Sequence, residues 1–114
     1  MEGCIFCRIV RGEIPCKKVY ENDLVLAFDD IQPMAPHHVI VIPKRHIPTL
    51  LDVSPAEYPL LGAMIAAGQE VARIKGVDQR GFRTVMNVNA EGGQVVYHLH
   101  MHVLGGRKLK DDLG

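Results

Sequence analysis

The sequence predicts an α+β domain: an antiparallel sheet of about five strands, one long helix and one short N-terminal helix. Three observations lead there. β-Branched apolar runs flank the middle of the chain, a single stretch of helical periodicity lies between them, and residues 98–104 alternate with a period of two. Strands in hairpins with one helix between them are the pattern of an α+β fold rather than of alternating βαβ units. The 114 residues form one domain, residues 1–114, large enough to bury a modest core without disulfides.

Each element has its own signal. Residues 3–11 fit a short helix with Ile5, Phe6 and Ile9 on one face, ended by Gly12 and Pro15. Lys17 to Glu21 and Leu24 to Phe28 read as strands around an Asn22-Asp23 turn. Asp29 to His37, with Pro33 and Pro36, reads as a loop, and His38 to Ile42 as a strand stopped by Pro43. Ser54-Pro55-Ala56-Glu57 has a capping-box pattern with proline at the first helical position. Leu60, Leu61, Met64, Ile65, Val71 and Ala72 follow at helical spacing, with Gly76 suited to the stop. Pro59 conflicts with a continuous helix, because it removes a backbone hydrogen bond; a separate first turn with the regular helix starting near Pro59 is expected. Phe82 to Asn87 reads as a strand, and Ala90 to Gln94 as a glycine-rich loop.

Composition narrows the function classes. Thirteen basic and thirteen acidic residues cancel, which argues against a nucleic-acid polymer as partner, since that binding needs a basic surface to neutralise phosphates. No apolar run reaches the length of a membrane span. The N-terminal residues show no basic segment followed by a long apolar one, and three cysteines do not make a disulfide framework, so a reducing cytoplasm is the expected location.

The chemistry is concentrated in His98-Leu99-His100-Met101-His102-Val103-Leu104. On a strand, alternate side chains face opposite sides, so the three imidazoles share one side, roughly 6.5–7 Å apart, and Leu99, Met101 and Val103 face a core. Each imidazole can serve as proton donor, acceptor, nucleophile or metal ligand near neutral pH. Gly92-Gly93 precedes the row, and glycine-rich turns can present N–H groups to an anion. A neutral imidazole beside such a cradle could attack phosphorus while a neighbour protonates the leaving group. Cys4-x-x-Cys7 places two thiols on one helical face, where they could join imidazoles in a structural zinc site or be two small buried residues.

Residues 98–104 match, at all seven positions, the His-φ-His-φ-His-φ-φ signature (φ apolar) of the histidine triad (HIT) proteins, which this chain resembles over nearly its whole length. The N-terminal segment (Cys4 to Ile9, Gly12 to Pro15), the middle segment (Ala27 to Ile31, Pro36 to Lys44) and the C-terminal segment (Asn87, Gly92 to Arg107) carry the likeness. The Leu-Gly-Gly-Arg ending is most similar to the Hint branch, the nucleoside phosphoramidases.

The resemblance implies a HIT-like fold whose sheet continues across a homodimer. It implies a purine mononucleotide (AMP or GMP) as ligand, and hydrolysis of the P–N bond of nucleoside 5′-phosphoramidates without a required cofactor. On that pattern His100 is the nucleophile and forms a nucleotidyl-histidine, His102 contacts the α-phosphate, His98 helps orient it, and His38 supports the network. Asp30 would bind ribose with Ile31 beside it, Asn87 and the Gly93 backbone would hold phosphate oxygens, and Ile5, Phe6, Ile9, Phe28 and Ile40 would line the base pocket. The bare sequence also allows Asp30 as a turn residue and Ile5, Phe6, Ile9 and Phe28 as ordinary core. Some family members bind zinc through residues matching Cys4, Cys7, His46 and His98. Two departures stand out: Val95 occupies a position where many Hint-branch proteins carry serine, and the C-terminal residues lack a tryptophan that some members use. Two rivals remain open at this point, a catalytic zinc held by the triad itself, and a nucleotide-binding adaptor with little catalysis.

Overall fold

A computed structural model describes residues 3–114. Short helix α1 (Ile5–Val10) leads into strands β1 (Lys18–Glu21), β2 (Val25–Asp29) and β3 (His37–Pro43). Two single 3-10 turns (Leu50–Asp52, Pro55–Glu57) precede the long helix α2 (Tyr58–Ile74), which β4 (Phe82–Val85) and β5 (Met101–Gly105) follow. All neighbouring strands are antiparallel, in the order β1-β2-β3-β5-β4, so the last strand inserts between β3 and β4.

Local chemistry explains the boundaries. The Asn22 side chain accepts from the Leu24 and Val25 N–H groups at 2.9 and 3.0 Å, closing the β1–β2 turn. The Pro59 conflict resolves as a separate turn: Ser54 and Glu57 form a reciprocal capping box over Pro55–Glu57, and α2 starts at Tyr58, leaving Pro59 in its first turn where no N–H is needed. Gly76, at φ +71, ends the helix.

The sheet is covered on both faces, which is why β2 and β3 are almost continuously apolar. Val25, Ala27, Val39, Val41, Met101 and Val103 face α2, against Met64, Ala67 and Val71. Leu26, Phe28, Ile40 and Ile42 face the other way and meet Phe6 of α1. Gly68 allows α2 to lie close: a Cβ there would sit 2.7 Å from Met101 Cε. Ile65, placed on the apolar stripe by sequence, is instead about half exposed, since the buried face of α2 runs through Met64, Gly68 and Val71.

The alternation in the histidine row holds where it was expected to matter, with Leu99, Met101 and Val103 all buried in the α2-side core. The row as one strand does not hold. β5 begins only at Met101, so His98, Leu99 and His100 lie ahead of the ladder, and the Leu99 N–H instead donates to Ile47 O at 2.7 Å. β4 likewise ends at Val85 rather than Asn87.

Candidate active site and thiol–imidazole centre

His102 lies opposite Ile40 across β3 and β5, and His38 lies opposite Leu104, so the two histidines are diagonal neighbours on the α1 face of the sheet. Asp30 follows β2 and extends its ladder, donating its N–H to His38 O at 2.9 Å. Asp30, His38 and His102 thus form a row across three adjacent strands. His38 Nε2 lies 2.9 Å from His102 Nδ1 and 3.4 Å from Asp30 Oδ2.

Hydrogen bonds to backbone groups fix the proton on His38, His98 and His100, and His38 in turn fixes it on His102. The Met34 N–H donates to His38 Nδ1 at 3.0 Å, so the His38 proton sits on Nε2 and is donated to His102 Nδ1. His102 then carries its own proton on Nε2. His100 Nδ1 lies 2.7 Å from His98 O, an acceptor, so His100 holds its proton on Nδ1 and leaves the Nε2 lone pair free. His98 Nε2 lies 2.8 Å from Pro43 O, so its Nδ1 carries the lone pair. Burial lowers the proton affinity of all four rings, and His102, further depressed by His100 and His38, falls to about 4. All four are neutral imidazoles at pH 7.

The row is therefore divided. His98 is fully buried, and its Nδ1 meets Cys4 Sγ at 3.3 Å, Cys7 Sγ at 3.5 Å and His46 Nδ1 at 3.3 Å. Cys7 Sγ and His46 Nδ1 are 3.2 Å apart. Tetrahedral zinc with ligand bonds of about 2.0–2.3 Å needs donor–donor edges of roughly 3.3–3.8 Å. These four contacts, at 3.2–3.5 Å, lie close to that range, and all four donor atoms lie within 4.8 Å of one another, a donor set that suits the ion. The Pro43 carbonyl behind His98 supplies the outer hydrogen bond that metal-binding histidines commonly use. The His98 ring consequently does not converge with His100 and His102, and the reading of the triad as a tris-histidine zinc site fails on geometry. His98 serves His100 through its carbonyl, not its ring.

The remaining expected residues distribute as follows. A Cβ on Gly93 (φ +84) would lie 3.9 Å from Asn87 Nδ2, so Asn87 and the glycine loop do come together. The Gly93 N–H, however, donates to Ala90 O at 3.0 Å, and the Gln94 N–H to Asn89 O, so the turn itself uses these two groups. Phe6, Phe28 and Ile40 are buried together with Ile9 packed beside them, and Phe6 makes edge contacts with His98 and His100. Ile5 is half exposed, whereas Ile31 and Val95 project to solvent at 95% and 87% exposure. Ile5 and Val95 border an open cleft of about 450 Å³ that also reaches Cys4, His46 and Tyr97. Sequence reasoning missed two contributors. Buried Gln94 fixes the loop by accepting from Asn89 N–H and donating to the Pro48 and Val96 carbonyls, and the Met34 N–H sets the His38 tautomer. A glutamine beside two glycines hints at the first, but a backbone N–H has no sequence signature.

Comparison with known proteins agrees with this architecture. The HIT domain family matches residues 11–109. A purine nucleoside phosphoramidase from Escherichia coli K12 is 50% identical over 108 residues, covering 95% of this chain and 91% of that protein. A histidine triad protein from Clostridium difficile superposes with a TM-score of 0.96 at 46% identity, covering 98% of this chain and 97% of the other. A HIT family hydrolase from Legionella pneumophila gives a TM-score of 0.95 at 45% identity, covering 98% and 100%. The signature, the five-stranded sheet with its diagonal histidine pair, and these likenesses together show that the chain belongs to the HIT family of hydrolases.

Proposed function

We propose that this enzyme hydrolyses the P–N bond of purine nucleoside 5′-phosphoramidates through a nucleotidyl-histidine. The observation that carries the reading is the 2.7 Å bond from His100 Nδ1–H to the His98 carbonyl, which aims a neutral Nε2 lone pair out of a buried ring. The relative's name supports the substrate class. In the reaction, His100 Nε2 attacks phosphorus, and the P–N electron pair departs with the nitrogen, which takes up a proton and leaves as the amine. Water then displaces His100, giving the nucleoside monophosphate and releasing a proton. His102 donates its Nε2–H to a phosphate oxygen, and Asn87 supplies a side-chain amide. With the Gly93 and Gln94 N–H groups held in the turn, the Val95 N–H takes the phosphate contact expected of Gly93. Asp30 receives the ribose hydroxyls, and Ile9, Phe28 and Ile40 form the apolar wall for a purine of AMP or GMP.

Cys4, Cys7, His46 and His98 would hold zinc, which there would cross-link α1, the segment after β3 and the histidine row rather than act on substrate. No catalytic cofactor is invoked. A homodimer continuing the sheet belongs to the same proposal, with the β4 edge as the junction. The β1 edge is blunted by the Lys18–Glu21 and Lys44–Glu21 ion pairs, whereas β4 presents Phe82 and Thr84. A cytoplasmic location is proposed with it; among the described residues no helix is long and apolar enough to cross a membrane.

The test follows AMP release from adenosine 5′-phosphoramidate by metal-assayed protein, with His100→Ala and chelator-treated enzyme in parallel, and the oligomeric state by light scattering. Chelator-resistant release that disappears in His100→Ala supports the reading. AMP binding without release would replace it with a nucleotide-binding adaptor.

A further inference from the structure

The Asp30–His38–His102 row has the composition of a metal site, with donor atoms within 4.8 Å of one another, but its protons are arranged for something else. Binding a cation through His38 Nε2 would move the His38 proton to Nδ1, where the Met34 N–H already points at 3.0 Å. Two N–H groups would then face each other. His38 Nε2 accordingly keeps its proton, which bonds to His102 Nδ1 at 2.9 Å, with the Asp30 carboxylate beside it as a charged neighbour at 3.4 Å. The other Asp30 oxygen is held by the Gln32 N–H at 2.8 Å, which aims the carboxylate at His38. Its side chain is only 18% exposed and that of His38 5%, so solvent screens this contact weakly.

We infer that Asp30 is a positioning residue for the reaction as well as a sugar ligand: its carboxylate, 3.4 Å from His38 Nε2, acts with the Met34 N–H to keep the His38 proton on that nitrogen, and through His38 it helps fix His102 as the phosphate-facing Nε2–H donor. The assignment rests on the proposed role of His102. Among the described residues, the same carboxylate is the acidic group whose field opposes burial at His38, His100 and His102. Because the Asp30 carboxylate and the Met34 N–H sit on one loop, seating a ribose on Asp30 and orienting the His102 proton become a single event. A bare sugar ligand would affect only binding, whereas this arrangement links sugar occupancy to the chemical step.

Asp30→Asn separates the two roles. Its single oxygen can keep the Gln32 N–H, which leaves an amide NH₂ facing His38 Nε2–H, donor against donor. Kinetics with adenosine 5′-phosphoramidate and with its 2′,3′-dideoxy analogue are measured alongside imidazole ¹⁵N spectra, which report the tautomer of each histidine without substrate. The expected result is a kcat about tenfold or more lower on both substrates, a KM effect confined to the ribose substrate, and His38 and His102 resonances shifted away from single-tautomer values. In a His38→Gln background the same substitution has no further effect on kcat. The inference is overturned if the ¹⁵N spectrum is unchanged, or if kcat on the dideoxy substrate is unchanged. If the unmodified enzyme cleaves neither substrate, the phosphoramidase reading fails by itself, and the spectrum still decides whether Asp30 positions the pair.

Discussion

Two groups of imidazoles, built partly from one seven-residue stretch, end in opposite chemical states. In the thiol centre, His98 has its proton drawn to the Pro43 carbonyl and turns a lone pair toward Cys4, Cys7 and His46. In the Asp30–His38–His102 group, His102 has its Nδ1 occupied by His38 and turns a proton outward. Between them His100 keeps its proton on the backbone and presents a lone pair. Residue type is the same in all three, and the hydrogen-bond partner at the opposite ring nitrogen decides whether the ring presents a lone pair or a proton. Spacing alone could not distinguish them.

If the groups are as separate as this, their variants should fail differently. The largest effect is expected from His100→Ala, which should lower phosphoramidase activity by roughly three orders of magnitude or more while the thermal midpoint stays within a few degrees. A comparable loss in the thiol variants instead would make the metal centre catalytic and erase the distinction. Cys7→Ser should abolish stoichiometric zinc, as read by elemental analysis, and lower Tm by roughly 5–10 °C, with activity per folded molecule changed less than about threefold.

A pH series sharpens the comparison further. His102 has a folded pKa of about 4 against an ordinary 6.5, and His38 is shifted the same way. The unfolded chain therefore binds more protons than the native one between those values. The contribution of these rings is fully present above pH 6.5 and lost as pH falls toward 4. Denaturant titrations should show the midpoint falling across that window, and less steeply in His102→Asn. The smallest effect is expected from Val95→Ser: its side chain is in solvent, so stability should not change measurably and kcat/KM should move less than about threefold. A tenfold gain would mean that a hydroxyl at this position reaches the reacting groups.

How much was legible beforehand follows the same division. Strands β2 and β3, the capping box before α2 and the stop at Gly76 are local patterns, and they appear within a residue or so of where the sequence puts them. The HIT signature also fixed which strand carries His102. The inward side of the row was readable because Leu99, Met101 and Val103 needed burial whatever the backbone did. The outward side was not, since the period-two rule applies only to extended backbone, and residues 98–100 are held instead by the Leu99–Ile47 backbone bond and the rings' own partners. The Cys4-x-x-Cys7 pair announced a half-site, but convergence of His46 and His98 on it depends on a fold that brings residues 39 to 94 positions apart into contact. The commitment of the Gly93 N–H to Ala90 was invisible for the same reason as the Met34 N–H: every residue but proline has one, and only the turn decides where it goes.

His98 joins the two groups through different parts of one residue, its ring to the thiols and its carbonyl to His100. The carbonyl belongs to the chain, so any amino acid at position 98 supplies it. A saturation library would score that position for its packing and thiol contacts yet never reveal that it orients His100. Only an edit to the main chain would: an ester in place of the 98–99 amide weakens the carbonyl as an acceptor and deletes the Leu99 N–H in one step. The alignment of His100 is thereby protected from side-chain mutation at this position, and lineages could lose the thiol centre residue by residue without misaligning that ring.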